Sequence, residues 1–217
     1  MSPSFSETEF PSPLNYNLAR IIDDKTIQRG VQKFSLRSDK HDWIFEDLDK
    51  IFDSAVRATE SKRRSYDIFG HSAGGQIVHR QVLFAEDAKI DRAIAANSGW
   101  YTVATLDQDF PYGLRHAPIS KDQLKRSFER RLIVMLGERD NAAESRGHLL
   151  QNAKTRIQGD GRLSRGNYFF QTSKEYAAKS NYEFRWTKHI VADVGHSYRK
   201  MAHAAADRLY SEANNGR

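Results

Sequence analysis

Cysteine is absent from this chain of 217 residues. Its absence excludes disulfides, thiolate metal sites and a cysteine nucleophile. No apolar run is long enough to cross a membrane as a helix. The first residues, MSPSFSETEFPSP, have neither the basic region nor the apolar region of a secretory signal peptide. These absences predict a cytoplasmic protein that does not enter the membrane.

Clustered positive charge is also scarce, although the formal net charge is +6. The basic residues are scattered, apart from Lys62-Arg63-Arg64, which we interpret as a solvated loop before a strand. Nucleic-acid binding would need a basic face or a reading motif, and neither is present. The sequence has no phosphate-binding loop and no metal-spaced histidine and aspartate cluster, so we expect no metal and no organic cofactor.

The length is enough for one α/β domain spanning residues 1–217, although a hydrophobic content of 39% is polar for a domain built on a buried parallel sheet. Prolines at positions 3, 11 and 13 exclude a long helix near the start. A helix to about Thr59 is expected to be capped by Ser38 or Asp39. Hydrophobic spacing predicts strands ending near 69, 98, 137 and 191, and helices over 75–84, 120–129, 167–179 and 198–210. Residues 142–162 are polar and are interpreted as a long loop with some helix.

The stretch Tyr66 to Gly75, YDIFGHSAGG, contains the pattern G-x-S-x-G between a short apolar run and a helical segment. That is the context of a nucleophile elbow, in which a strained turn projects a serine above a sheet. Gly70 and Gly74 are expected to keep Cβ atoms out of the crowded turn. Ser72 is then the candidate nucleophile, and the Ala73 amide a candidate donor to an oxyanion.

A serine nucleophile needs a base and an orienting carboxylate, and the order Ser72, Asp140, His196 supplies both. Each of the three follows the carboxyl end of a predicted strand, and those ends share one edge of a parallel sheet. His196 is the candidate base, and Asp140 the acid that holds its tautomer. Glu138 is the rival for the acid, and Asp193 is a weaker one.

Aromatic residues follow another strand end, in the turn Asn97 to Tyr101. Ligand contacts in α/β sheets lie at such turns, so Trp100 and Tyr101 are candidates for a substrate pocket. The alternative, that both are ordinary core residues, is equally compatible with the pattern. His71 is a third pocket candidate, although it is expected to pack or hydrogen-bond locally. Residues 102–118 are irregular and aromatic, and could form a lid-like insertion over the site.

Three motifs together resemble the α/β-hydrolase superfamily: Gly70 to Gly74, Gly137 to Asp140, and Gly195 to Ser197. The longer strings NYNLA, AANSGWYT, FPYGL and VGHSYRKMA resemble a bacterial subgroup of esterases related to polyhydroxyalkanoate depolymerases. The resemblance implies a three-layer α/β/α sandwich with a mostly parallel sheet. It also implies hydrolysis of a small or polymeric carboxylic ester through an acyl-serine intermediate.

One departure from that family is the short segment ahead of Ser72. The family carries earlier strands and a His-Gly loop with a second oxyanion donor, so we expect a fold that is truncated at its N-terminus. The elbow strand would then be an exposed edge. Missing residues could also have carried a signal peptide. The alternative function is therefore an impaired or non-enzymatic relative that lacks a complete oxyanion hole.

Overall fold

The computed structural model describes residues 1–6, 8–10, 13–22, 35–37 and 39–211. The proposed cap at Ser38 lies outside these residues. No helix in the described ranges is both long and apolar enough to span a bilayer.

Within the described ranges, four parallel strands form the sheet, in the order β1-β2-β3-β4. They are β1 Tyr66–His71, β2 Ile90–Ala96, β3 Arg131–Gly137 and β4 Thr187–Val191. Because all four run in the same direction, their carboxyl ends meet at one edge. The helices are α1 Pro13–Asn17, α2 Ile44–Ala58, α3 Ala73–Phe84, α4 Lys121–Phe128, α5 Ala153–Gln158, α6 Arg162–Lys179 and α7 Tyr198–Tyr210.

Both faces of the central strands are buried, which makes the fold a three-layer sandwich. Along β2, Ala93 and Ala95 join the larger apolar cluster with residues of α3 and α6. Ile94 and Ala96 point the other way and pack with Met201 of α7. This alternation explains why the strands are nearly continuous apolar runs. The predicted fold class is therefore confirmed in its layers and its parallel sheet.

Strand β1 lies at one edge of the sheet and pairs with β2 alone among the described strands. Of its six residues only Gly70 is buried, and the other five are partly exposed. An apolar strand at an edge is the arrangement expected from the sequence.

Several element boundaries differ from the prediction for physical reasons. Asp39 caps a 3₁₀ turn, Lys40–Asp42, instead of the helix, and α2 begins only at Ile44. Ser120 caps α4, because its hydroxyl accepts from the Gln123 amide. The Gln123 side chain does not complete a capping box in return: it donates to the carbonyls of Phe84 and Leu83, at the end of α3, at 2.9 and 3.2 Å.

The last strand was predicted from Phe184 but begins at Thr187. The residues before it leave the sheet because they pack against the end of α4. The Trp186 indole N–H donates to the Ser127 carbonyl at 2.8 Å, and the Phe184 ring lies 5.6 Å from that of Phe128. Helix α6 in turn begins at Arg162, five residues earlier than predicted.

Candidate active site

Ser72 occupies the turn between β1 and α3, with φ 57° and ψ −115°. A non-glycine residue with positive φ is strained, and such strain clusters at functional sites. At Gly70 a Cβ would lie 2.8 Å from the Val78 side chain, so glycine is required there. The matching expectation for Gly74 is wrong, because a Cβ there would meet nothing within 4 Å. The crowded glycine is its neighbour Gly75, where a Cβ would lie 2.7 Å from the Ala96 carbonyl oxygen.

The structure brings Ser72, His196 and Asp140 together from three different loops. His196 Nε2 lies 3.1 Å from Ser72 Oγ, and His196 Nδ1 lies 2.7 Å from Asp140 Oδ2. Asp140 is fully buried, and the His196 side chain is 8% exposed. A carboxylate only accepts hydrogen bonds, so Nδ1 carries the proton and Nε2 is free to accept from the serine hydroxyl.

The two rival carboxylates, Glu138 and Asp193, bond to other groups and not to the His196 imidazole. Glu138 Oε2 accepts from the Asp193 amide at 2.9 Å. Asp193 forms an exposed ion pair with Arg139 at 2.5 Å. Asp140 is thus the carboxylate that the structure places on the imidazole.

A buried arginine on the far side of Asp140 was not predicted from the sequence. Arg162, the first residue of α6, is 1% exposed, and its Nη1 lies 3.2 Å from Asp140 Oδ1. The sequence indicates a polar loop at this position, because arginine is usually exposed and carries no apolar signal. Its neighbour along the helix, Arg165, is fully buried as well.

The loop after Asp140 covers the histidine and is fixed to it by a second carboxylate. Glu144 accepts from the His196 backbone amide at 2.7 Å, and it pairs with Arg146. The hydrogen bond from Arg146, and then the one from the His196 amide, hold the pKa of Glu144 well below its usual range. Gly147, with φ +70°, lies directly against the imidazole: a Cβ there would be 2.9 Å from His196 Cδ2.

Asn97 joins three of the strand ends that form the site. It follows β2 directly, with φ 46°, and it is fully buried. Its Oδ1 accepts from the Gly137 amide at 2.8 Å, and its Nδ2 lies 3.4 Å from the Gly195 carbonyl oxygen. The sequence placed Asn97 in a turn expected to contact ligand, but the side chain is engaged with backbone.

His71 lies beside the candidate base, with its ring centroid 4.5 Å from that of His196 and a 37° interplanar angle. Burial, and secondarily the charge of His196, lowers the pKa of His71 to about 4. His71 is therefore neutral near pH 7. The expectation that it packs locally agrees with this position, and its role in a substrate pocket stays a prediction.

Trp100 and Tyr101 are interior residues, with exposed fractions of 2% and 0%. Trp100 packs under the Arg80 guanidinium, whose carbon lies 4.3 Å from the ring centroid. Tyr101 stacks on Phe169 at 4.5 Å. Of the two alternatives for these aromatics, their positions support the core, and neither presents surface for a ligand.

Residues 102–118 form a packed irregular segment. Val103 donates its amide to the Tyr112 carbonyl and Leu114 donates its amide to Thr105, both at 2.9 Å. Together with α5 the segment borders a groove of about 690 Å³, lined in part by Phe110, Arg115, His116, Lys154 and Ile157. Its suggested lid-like behaviour stays a prediction. No group of three potential metal-ligating side chains occurs among the described residues.

Comparison with known proteins identifies the group to which this site belongs. No protein-family model matches the chain, and no curated protein matches it significantly. Among solved structures, poly(aspartic acid) hydrolase-1 from Sphingomonas sp. KT-1 shares 36% identity with a TM-score of 0.84, over 94% of this chain and 73% of that one. LpqC, a poly(3-hydroxybutyrate) depolymerase from Bordetella parapertussis, shares 26% identity with a TM-score of 0.84, over 97% of this chain and 68% of that one. The chain therefore belongs to the depolymerase-like α/β hydrolases that include poly(aspartic acid) hydrolase-1, and it is an esterase-type hydrolase.

Proposed function

We propose that the protein cleaves a carboxylic ester through an acyl-serine intermediate, with Ser72, His196 and Asp140 as a catalytic triad. The observation that carries the proposal is the unbroken hydrogen-bond chain from Ser72 Oγ through both imidazole nitrogens to a fully buried carboxylate. An isolated serine hydroxyl is a poor nucleophile, and this chain supplies the base that it needs.

In the proposed reaction His196 Nε2 removes the proton from Ser72 as the oxygen attacks the ester carbonyl. Asp140 stabilises the resulting imidazolium and holds its orientation. The imidazolium then protonates the leaving alcohol, and the carbonyl re-forms as an acyl-serine. Water, deprotonated by His196, attacks the acyl group and releases the acid and the free serine.

The Ala73 amide is the proposed oxyanion donor, because Ala73 is the first residue of α3. The first amides of a helix have no intrahelical partner, and the helix dipole favours negative charge there. Loss of an oxyanion donor costs about 10² to 10³ in rate, so this contact contributes substantially to turnover.

The proposed substrate is a polymer of carboxylic acid units or a fragment of one. The structural neighbours support this, since they are named for hydrolysing poly(aspartic acid) and poly(3-hydroxybutyrate). The first polymer is an anionic polyamide and the second a neutral polyester. The triad accommodates either linkage, and the leaving group is selected by the surrounding pocket.

The test is turnover of p-nitrophenyl acetate and butyrate, followed by oligomers of 3-hydroxybutyrate and of aspartate. We expect Ser72→Ala to lose at least 10³-fold of activity, whereas Ser145→Ala, an exposed serine in the loop after Asp140, retains it. A fluorophosphonate probe should label the wild type and not Ser72→Ala. Equal ester turnover by wild type and Ser72→Ala would refute the proposal.

The alternative function, an impaired relative that binds esters without hydrolysing them, predicts a different pattern. It is favoured by the single oxyanion donor, Ala73, that can be assigned at the elbow. In that case fluorophosphonate would label Ser72 slowly or not at all, and no substrate would turn over faster with the wild type than with Ser72→Ala.

A further inference from the structure

The carboxylate of Asp140 is held between two partners, only one of which belongs to the triad. Its Oδ2 faces His196 Nδ1, and its Oδ1 faces Arg162 Nη1 at 3.2 Å. Both Asp140 and Arg162 are excluded from solvent, with exposed side-chain fractions of 0% and 1%. A buried carboxylate without a cation would be strongly destabilised, so this pair compensates a charge that water cannot reach.

The same guanidinium also fixes the loop that covers the histidine. Arg162 Nη2 donates to the His148 carbonyl at 3.1 Å, and Nη1 lies 3.4 Å from the Arg146 carbonyl oxygen. Between these two carbonyls lies Gly147, which contacts the His196 ring. The Arg162 side chain thus bonds both to Asp140 and to the loop that covers His196.

We propose that Arg162 is a positioning residue of the hydrolytic site: it keeps Asp140 ionised and directed at His196, and it sets the lower limit of the active pH range. The proposal rests on the proposed triad function. Its physical basis is the cation's field. A positive charge beside the Asp140–His196 pair opposes the uptake of a further proton by that pair. Without it, the pair would bind its proton at higher pH, and a protonated pair cannot act as a base on Ser72.

The other charged groups around His196 stay constant in this comparison. His71, at the end of β1, is neutral above about pH 5, because its pKa is lowered to about 4. Glu144 and Arg146, from the loop, pair with each other and remain charged. A change in the pH profile on removal of Arg162 therefore reports on Arg162 itself.

Arg165 provides a matched control on the same helix. It is fully buried, and its guanidinium donates to the carbonyls of Gly99, Leu150 and Gly159 at 2.6 to 2.9 Å. Its described bonds include no carboxylate of the triad. Replacing Arg165 should disturb packing as much as replacing Arg162, without removing the charge beside Asp140.

The experiment measures kcat/KM against pH, from 5 to 9, for the wild type, Arg162→Met, Arg165→Met and Arg162→Lys. In the wild type, kcat/KM should rise with pH at the acidic end of this range, and we call this part of the profile the rising limb. The cation lies within a few ångströms of the Asp140–His196 pair. We therefore expect Arg162→Met to move the rising limb to higher pH by about one to two units. Arg162→Lys should leave the rising limb near its wild-type position, because it keeps the positive charge. Its kcat should fall, because lysine cannot bond both carbonyls of the loop as the guanidinium does.

Arg165→Met should lower the unfolding temperature and leave the rising limb in place. The proposal would be overturned if folded Arg162→Met had its rising limb at the wild-type pH. It would also be overturned if Arg165→Met displaced the rising limb as far as Arg162→Met does. Should Arg162→Met fail to fold, Arg162→Lys decides: a limb displaced by a unit or more would contradict the role of charge. Failure of the triad itself would be distinct, because wild type and Ser72→Ala would then show equal activity.

Discussion

Gly147 offers a direct way to perturb the candidate base without replacing a residue of the triad. Its φ of +70° is unfavourable for any residue with a side chain, and its missing Cβ faces the His196 ring. In Gly147→Ala the new methyl would lie 2.9 Å from Cδ2 and 3.1 Å from Nε2 of His196. The substitution therefore places one carbon too close to two ring atoms of the proposed general base, and 3.3 Å from Arg162 Nη2.

The expected magnitude follows from these distances. Ordinary carbon contacts begin near 3.4 Å, so either the ring or the loop must move by about half an ångström. The ring has little freedom, because Asp140 holds Nδ1 at 2.7 Å, and Nε2 must stay 3.1 Å from Ser72 Oγ. A misplacement of about 1 Å at a catalytic group can cost about 10²-fold in rate, so we expect a loss of about 10- to 100-fold in kcat. Backbone strain at positive φ adds about 1–2 kcal/mol of destabilisation.

The assay compares kcat for p-nitrophenyl butyrate with the urea midpoint of the same preparations. Gly147→Asn separates the two effects, because asparagine tolerates positive φ better than alanine but carries the same Cβ. We expect both variants to lose kcat equally, and Gly147→Asn to be the more stable. Ser145→Ala, on the same loop, is the control for loop substitutions in general. Wild-type kcat in folded Gly147→Ala would refute the contact between the loop and the imidazole.

Two further predictions concern the elbow. Gly75→Ala should destabilise the fold by about 1–3 kcal/mol, because its Cβ would meet the Ala96 carbonyl oxygen at 2.7 Å, whereas Gly74→Ala should stabilise it by about 0.5–1 kcal/mol in urea unfolding. If Gly74→Ala lowered the free energy of unfolding more than Gly75→Ala, the packing described at the elbow would be contradicted. The second prediction is a pH dependence of stability that arises from His71, whose pKa is lowered from 6.5 to about 4 in the folded protein. Between these two values the unfolded chain binds more protons than the folded one. The contribution of His71 to stability is therefore complete above pH 6.5 and falls as the pH drops towards 4. Unfolding midpoints of His71→Phe should show a shallower dependence in that window, and an unchanged slope would argue against it.

The sheet and its strand ends were predictable because their signals are local. The run RLIVMLG is the most apolar segment of the chain, and β3 occupies those seven residues. The terminal helix was likewise predicted with the bounds of α7, since Met201, Ala205 and Leu209 recur on one helical face and are buried. With the strand ends in place, parallel pairing brings Ser72, Asp140 and His196 to one edge. The positions of these three residues directly after strands were therefore enough to predict that they meet.

The surroundings of the triad could not be predicted, because they depend on buried polar side chains. Arg80, Arg162 and Arg165 are each at most 1% exposed. Arg80 donates to the Asn17 carbonyl at 2.7 Å and to Thr102 Oγ1 at 2.9 Å, positions 63 and 22 residues away. A sequence pattern shows neither these partners nor the burial, because arginine normally indicates surface. The start of α6 was missed for this reason, since its first turn buries Arg162 and Arg165.

The candidate base also derives its rigidity from polar contacts outside the triad. The His196 loop is held by Asn97, which follows β2, and by Glu144, from the loop after β3. Neither residue is part of the triad, and each bond joins segments at least 52 residues apart in the chain. Strand pairing alone would bring the three functional groups to one edge without fixing their distances. The polar contacts across the strand ends fix the backbone on both sides of the 3.1 Å approach between His196 and Ser72. It follows that substitutions at Asn97 or Glu144 should affect turnover before they affect the sheet.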